Sequence, residues 1–240
     1  APLLGADVIA FSEVFTSYSF RLQRLEGYPY HAWGPGTSGL MQSAGLLIVS
    51  KWPIIKTDRI IFSDCTGSDC LANKGALFAR VRVDGVGEID LYAAHLNASD
   101  TGEVRRLQVD EVAQMIRYYS NGTRPVIFLG DLNFTPSSPV YARVRDRHKL
   151  RDAHVESVEV NPGLSEQERN GFTFDYGRNT QLRGKNGTPK RIDYLWTQSS
   201  RTRALCTRFT SLVMDDVVAG RSLSDHFGLL GEFAVRPIAP

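Results

Sequence analysis

Val126-Ile127-Phe128-Leu129-Gly130-Asp131-Leu132-Asn133 decides how this chain is read. Four apolar residues, preceded by Pro125 and closed by a glycine, read as a short buried strand. Gly130 lets the backbone turn, and a carboxylate and a carboxamide follow two apart. Residues two apart on a strand share a face. Asp131 and Asn133 are therefore expected to project together from a strand end, where α/β sheets place their ligands. One side chain accepts protons and the other donates hydrogen bonds, a pair suited to a phosphoryl group and an attacking water. The competing reading is local, because Asp and Asn at strand-ending turns often serve only the backbone.

Working outward, polar residues follow apolar strands in the same manner elsewhere. Glu13 follows Val8-Ile9-Ala10-Phe11, and Gly45 to Val49 is a further strand. Ala76 to Val83 alternates, turns at Asp84-Gly85 and returns through Ile89 to His95, which reads as a hairpin. Asp193 sits in Ile192-Asp193-Tyr194-Leu195-Trp196, and Ser224-Asp225-His226 precedes the strand Phe227 to Phe233. Val104 to Tyr119 carries apolar residues near helical spacing and stops at Asn121-Gly122. Asn161 to Lys190 is long and polar and reads as a surface or rim loop. Strands with interspersed helices and antiparallel pairs predict a mixed-sheet α/β sandwich. No repeat or linker divides the chain, so residues 1–240 are read as a single domain.

Several strand-associated acid, amide and imidazole groups favour one common pocket over separate structural roles. Glu13 fits a hard-cation ligand, Mg²⁺ above all, against a solvated strand end or a structural ion pair. His95 and His226 can each take a proton near neutral pH. Asp225, adjacent to His226, points to the other face of a strand, so Asp193 is the better candidate to orient the His226 imidazole. Water is the expected nucleophile, since no Gly-x-Ser-x-Gly elbow is present. Lys74, in Asn73-Lys74-Gly75, is read as a cation for a phosphate oxygen or as a solvated turn lysine, in equal balance.

Composition narrows the classes. The net charge is +2, from 28 Lys and Arg against 26 Asp and Glu. That balance permits an anionic substrate without announcing a nucleic-acid binder. No apolar run approaches the roughly 20 residues that cross a bilayer, and Ala1-Pro2-Leu3-Leu4 opens the chain with no signal peptide in view. Of three cysteines, Cys65 and Cys70 share a short polar loop and could close a disulfide, which points to secretion. No second ligand pair supports zinc, and Cys206 is left as a free thiol. Sequons occur at Asn97, Asn121 and Asn186; Asn97 lies beside His95, so glycosylation there is not expected.

Taken in order, Ser12-Glu13-Val14, Ala94-His95-Leu96, Gly130-Asp131-Leu132-Asn133, Ile192-Asp193-Tyr194 and Ser224-Asp225-His226 resemble the endonuclease/exonuclease/phosphatase superfamily with its DNase I-like fold. Within it, Asp64 to Gly75, with Asp69-Cys70 and Asn73-Lys74-Gly75, and the preceding Leu47 to Ile54 are similar to secreted neutral sphingomyelinases. The resemblance implies a four-layer α/β sandwich with two packed mixed β-sheets. It implies Mg²⁺-dependent phosphodiester hydrolysis, with Mn²⁺ or Co²⁺ able to substitute. By motif, Glu13 would bind the metal and Asp225 would support the site or a second metal. His226 would be the general base oriented by Asp193, with Asp131 positioning the water. Asn133 and His95 would hold phosphoryl oxygens. The partner would be a phospholipid head group at a membrane surface rather than nucleic acid, the products ceramide and phosphocholine, the location extracellular and the protein a monomer.

Two departures accompany the resemblance. The family opens with a core strand carrying an Asn at the metal site, and no such strand precedes Asp7, so the fold is expected to lack its first strand and to expose sheet edges. The segment Met214 to Arg221, where related secreted enzymes carry an aromatic hairpin, is short and has no aromatic residue. A nuclease on the same scaffold and a non-catalytic lipid- or protein-binding module are the rival readings.

Overall fold

The computed structural model describes residues 5–17, 19–99 and 102–238. The opening Ala1-Pro2-Leu3-Leu4 lies outside the described residues. In chain order the strands and helices are β1 (Val8–Phe11), β2 (Tyr30–Trp33), β3 (Leu47–Ser50), β4 (Ile54–Ile61), β5 (Gly75–Val83), β6 (Gly87–Ala94), α1 (Glu103–Tyr119), β7 (Val126–Asp131), α2 (Pro139–Ala142), β8 (Arg151–Asp152), α3 (Ala153–Val160), α4 (Glu166–Asn170), β9 (Asp193–Gln198), β10 (Arg203–Val213), β11 (Val217–Val218), β12 (Arg221–Ser222) and β13 (Gly228–Pro237).

Six strands form one mixed sheet in the order β4-β5-β6-β7-β9-β8, in which only β6 and β7 run parallel. The expected β5–β6 hairpin is present, with Ala76 opposite Ala94 and Val83 opposite Gly87. Alternation along each strand sends side chains to two cores. Phe78, Tyr92, Val126 and Phe128 pack with Val109, Val112, Met115 and Ile116 of α1. Leu77, Ala79, Leu91 and Ile127 face the opposite way, against Ile48, Leu46 and Leu205 of a second sheet layer. Leu47 and Val49 of β3 point out of that layer and are covered by Tyr28, Leu22 and Leu25. The result is the four-layer α/β sandwich. Fully burying side chains of this size contributes roughly 1.5–3 kcal/mol each, so both faces of the six-stranded sheet are substantial cores.

The second layer differs from the expected mixed sheet. It is present as two antiparallel pieces, β1-β3-β2 and β10-β13. Among the described residues, no strand lies between β1 and β13, and each of these strands has one edge without a partner.

Asn161 to Lys190 is exposed over most of its length, as expected of a surface segment, but it is not a simple loop. It contains α4, and Thr173, Asp175, Asn179 and Leu182 are buried. Its polar residues are hydrogen-bonded inward, which is how a polar segment can be buried. Asn179 Nδ2 donates to the Ser224 carbonyl (2.9 Å), and the Phe227 amide donates to the Thr173 carbonyl (2.8 Å). β10 passes through a mixed polar and apolar sequence without a clean period, so the sequence did not mark it as a strand; α3 covers it through the Ser157 hydroxyl, which accepts from the Thr210 amide at 2.8 Å.

Candidate active site

β7 and β9 are antiparallel neighbours whose register sets Asp131 opposite Asp193. His226 enters from the segment just before β13. Its Nδ1 lies 2.8 Å from Asp193 Oδ2, and its Nε2 lies 3.9 Å from Asp131 Oδ2. His95, one residue past β6, places Nε2 3.5 Å from the same Asp131 oxygen. Asp131, Asp193 and His226 each offer an atom within 4.8 Å of the others, close enough to hold a metal ion.

Two carboxylates facing each other across a strand pair repel. Burial, followed by the Asp193 charge, pushes the Asp131 carboxyl up to about 7. Burial opposes a charge on His226, but the Asp193 hydrogen bond and the charges of Asp193, Asp131 and Asp225 prevail and raise it to about 9. His95 is the reverse case. Burial, reinforced by Lys74, holds it down to about 3, so it is a neutral imidazole. Three groups within one cluster are thus pushed to different protonation states by environment alone.

Local backbone explains the rest of the geometry. Gly130 is not a turn residue. It lies within β7 at φ +133, and a Cβ there would meet the Ala94 carbonyl oxygen at 2.0 Å. The glycine therefore permits close approach of β6, not a turn. Asn133 is beyond the strand, at φ 52, so the two-apart-on-a-strand argument does not hold. What ties it to Asp131 is its amide, which donates to Asp131 Oδ1 (3.0 Å). Glu13 shares the left-handed backbone, at φ 60. Two site candidates in a region that costs non-glycine residues energy is the pattern expected where the backbone aims functional groups.

The Leu96 carbonyl receives Asn133 Nδ2 (3.1 Å) and Lys74 Nζ (2.8 Å). Lys74 is buried and paired with Asp69 (3.0 Å), and Asp69 also accepts from the Ala98 amide (2.6 Å). Lys74 is thus an internal tie beneath His95 rather than a solvated turn residue. Asp69 itself is carried in the loop closed by the Cys65–Cys70 disulfide. Asn97 is fully buried and accepts from the Thr66 amide (3.0 Å). Cys206 is a free cysteine.

Glu13, Asp131, Asp193, Asp225 and His226 line one end of a single cleft of about 720 Å³. The structure therefore brings Glu13 and Asp225 to the same cleft as the cluster, although neither belongs to its tight 4.8 Å group. The donors available there are carboxylate oxygens and one imidazole. A hard divalent cation suits that oxygen set, and the charge-crowded Asp131 is a group such a cation would compensate.

Three residues to which the sequence alone assigns no individual role support the site. The Phe174 ring packs edge-on to the His226 ring at 4.9 Å. Thr173 Oγ1 accepts from the Asp193 amide (3.3 Å). Asp69 fixes Lys74. Only Asp69 carried a signal, its place between the two loop cysteines; Thr173 and Phe174 lie in a polar stretch without periodicity.

The profile of the Endonuclease/Exonuclease/phosphatase family matches residues 2–226. A sphingomyelinase of Dictyostelium discoideum is 29% identical over 64% of this chain and 42% of its own length. Sphingomyelinase C 2 of Leptospira interrogans is 26% identical over 98% of this chain and 41% of its own length. The chain thus spans about two fifths of these relatives. Among solved structures, beta toxin of Staphylococcus aureus superposes with a TM-score of 0.76 at 21% identity, covering 95% of this chain and 87% of the toxin. TDP2 of D. rerio, complexed with a single-strand DNA product, gives 0.74 at 20% identity over 95% and 86%. A beta toxin double mutant with bound magnesium ions gives 0.66 at 19% identity over 93% and 85%. At these identities the superpositions speak for the fold.

Proposed function

The chain belongs to the Endonuclease/Exonuclease/phosphatase family, and on that premise we propose that residues 1–240 form one catalytic domain that hydrolyses a phosphodiester with a divalent metal, Mg²⁺ in the first instance, and acts on sphingomyelin. The observation that carries this reading is the His226–Asp193 pair set against Asp131 at the end of the cleft.

Glu13 and Asp225 would hold the metal, beside the Asp131 carboxyl. When bound, the metal offsets charge on the non-bridging oxygens and on the leaving alkoxide. His226 Nε2 is the free ring nitrogen, because Nδ1 is engaged by Asp193. In the neutral imidazole, the form present above a pKa that the surrounding carboxylates raise to about 9 and that a nearby divalent cation would lower, Nε2 takes the proton from water as that water attacks phosphorus in line, and Asp193 holds the tautomer and stabilises the imidazolium. Asp131 accepts the water's second hydrogen and orients its lone pair. Neutral His95 donates a hydrogen bond to a phosphoryl oxygen, and the Asn133 carboxamide does the same. Lys74, already bonded to Leu96 and Asp69, acts at second hand by fixing that strand end. The bond from phosphorus to the ceramide oxygen breaks as the water oxygen bonds, the departing alkoxide takes a proton from solvent water, the His226 imidazolium returns its proton to solvent, and the products would be ceramide and phosphocholine.

The relatives named as sphingomyelinases support the lipid substrate. The disulfide fits an oxidising, extracellular location. Among the described residues, no helix is long and apolar enough to cross a membrane; a monomer acting at a lipid surface is part of the same proposal. The likeness to TDP2 with a DNA product keeps a nuclease in view. Against it, several of the arginines are already paired with carboxylates, as in Arg143–Asp110 and Arg151–Glu156, rather than arrayed for phosphates.

Phosphocholine release from sphingomyelin liposomes is compared with nicking of supercoiled plasmid, each with Mg²⁺ and with excess EDTA. Liposome hydrolysis that EDTA stops and Mg²⁺ restores is expected. Plasmid nicking alone would select the nuclease, and failure on both and on bis-p-nitrophenyl phosphate would select a binding module.

A further inference from the structure

The segment that follows α4 brings two aromatic rings beside the proposed base. Phe174 packs edge-on to His226, with ring centroids 4.9 Å apart. Tyr176 stands at 88° to Phe174, with centroids 5.2 Å apart. Two rings at right angles form an inside corner with a π face on each wall. Both residues stay partly exposed, so neither ring is mere core filling.

The corner is fixed before any ligand arrives. The Phe174 backbone exchanges both hydrogen bonds with Lys190, at 3.0 and 2.8 Å. The Thr173 hydroxyl accepts from the amides of Ile192 and Asp193, each at 3.3 Å. Asp175 Oδ1 accepts from the Gly177 and Arg178 amides (2.8 and 3.2 Å), a side-chain turn that holds Tyr176. The Tyr176 ring lies so close to Gly187 that a Cβ there would have no room. Rings ordered in advance spare a ligand the entropy of ordering them.

We propose that Phe174 and Tyr176 are specificity-determining residues that take the trimethylammonium group of a phosphocholine ester whose phosphate lies at His226. The inference rests on the hydrolytic reading for the place of that phosphate. A cation is held when it lies within about 6 Å of a ring centroid, and the ethylene link of phosphocholine spans from a phosphate at His226 to the ring beside it. Among the described residues, no Lys or Arg lies over either ring. Arg178 is drawn away, held by Asp215 at 2.7 Å and lying over Phe227 at 4.9 Å. The Asp175 carboxylate is buried and engaged by the two amides. The corner thus offers π faces rather than a free carboxylate. A primary ammonium brings three N–H donors that need acceptors, whereas a quaternary ammonium has none and is recognised by aromatic faces. The Asp193 and Asp225 charges that act on His226 favour a cation nearby.

Binding to the 240-residue chain with Mg²⁺ present tests this without turnover. Three probes share a phosphate: phosphocholine, phosphoethanolamine, and 3,3-dimethylbutyl phosphate, in which carbon replaces the quaternary nitrogen. Calorimetry gives each affinity, and the Tyr176 ring resonances report contact. Phosphocholine should bind roughly 10-fold or more tightly than either analogue. The double substitution Phe174→Leu with Tyr176→Leu keeps apolar bulk and should bring the three affinities within about twofold of one another. A second arm compares hydrolysis of p-nitrophenyl phosphocholine with that of p-nitrophenyl 3,3-dimethylbutyl phosphate. Their kcat/KM ratio cancels any general disturbance of His226 and should fall roughly 3- to 30-fold with each single substitution. No binding of phosphocholine, equal wild-type affinities for phosphocholine and the neutral analogue, a preference that survives the double substitution, or an unchanged kcat/KM ratio overturns the proposal. Inactivity toward both esters would defeat the hydrolytic reading alone, because the affinities still decide the corner.

Discussion

Asp193 Oδ2 accepts from Nδ1 of His226 at 2.8 Å, so two side chains 33 residues apart act as one proton-handling unit. The pair holds the imidazole with Nε2 turned toward Asp131. Asp193→Asn removes both the orientation and the charge. General-base assistance contributes roughly 100- to 10,000-fold, so kcat on bis-p-nitrophenyl phosphate should fall by at least roughly 100-fold. Asp193 lies beside the cleft rather than in a core, so the melting temperature should hold. His226→Ala should abolish turnover with the fold intact. Because Asp193 raises the His226 pKa, its removal keeps the imidazole neutral to lower pH, and the acidic limb of any residual rate profile should move down in pH. Unchanged kcat in either variant would refute the assignment.

How much of this site could be read in advance differs residue by residue. Apolar runs ending in Glu13, His95, Asp131 and before His226 were visible because strands announce themselves by short-range pattern. The pairing of Asp193 with His226 was reasoned from strand alternation, and the structure shows the contact. Asn133 was placed near Asp131 for a reason that does not apply, since it sits in a left-handed turn and not on the strand. Thr173 and Phe174 were invisible, because their role depends on tertiary packing of a polar segment that carries no period. The split of the second layer into two pieces likewise depends on which strands are neighbours, which local sequence does not encode.

Gly130 is a steric requirement of the site. At φ +133, with the Ala94 oxygen 2.0 Å from where a Cβ would stand, alanine must push β6 from β7 or distort Asp131. Overpacking of this kind typically costs about 1–3 kcal/mol, and the backbone strain adds to it. Gly130→Ala should therefore shift the urea midpoint clearly and depress activity beyond the loss of folded protein. Gly85→Ala is the control. It shares a positive φ, but nothing lies within 4 Å, so only the backbone penalty of about 1 kcal/mol should appear. Equal destabilisation by the two substitutions would remove the close-approach argument.

Asp110 gives the fold an acid-sensitive tie. It accepts from Arg143 and lies 2.7 Å from His148 Nε2, joining α1 to the segment after α2. The Arg143 hydrogen bond pulls its carboxyl down to about 2. A depressed carboxylate stabilises the fold above the unfolded pKa near 3.8, and that stability is lost as pH falls toward 2. Burial lowers the His148 pKa, so the native state also resists protonation there, and stability declines on the acid side of its unfolded value near 6.5. Asp110→Asn should destabilise the fold at pH 7 by on the order of 1–2 kcal/mol after screening of a partly exposed pair, seen as a lower melting temperature. It should cost much less at pH 2.5. A melting-temperature difference that is constant between those pH values would show that the ion pair does not carry it.

Arg191 and Asp152 form the buried tie beneath Asp193. Their side chains are 2.7 Å apart and both nearly inaccessible. Asp152 Oδ2 also accepts from the Tyr141 hydroxyl (3.0 Å), while Oδ1 caps α3 through the His154 amide (2.9 Å). The Arg191 guanidinium lies over the Tyr194 ring at 4.7 Å. Removing one partner of a buried pair strands the other charge and costs about 3–5 kcal/mol. Arg191→Met should be destabilised on that scale in urea. Adding Asp152→Asn removes the stranded charge while keeping an acceptor for the α3 cap, so the double variant should recover part of the loss, a coupling that a double-mutant cycle measures directly. Because Arg191 precedes Asp193 by two residues, the single variant should lose activity at urea concentrations where the wild type is still fully folded. A double variant no more stable than Arg191→Met would place the stabilisation in arginine packing on Tyr194 rather than in the charge pair.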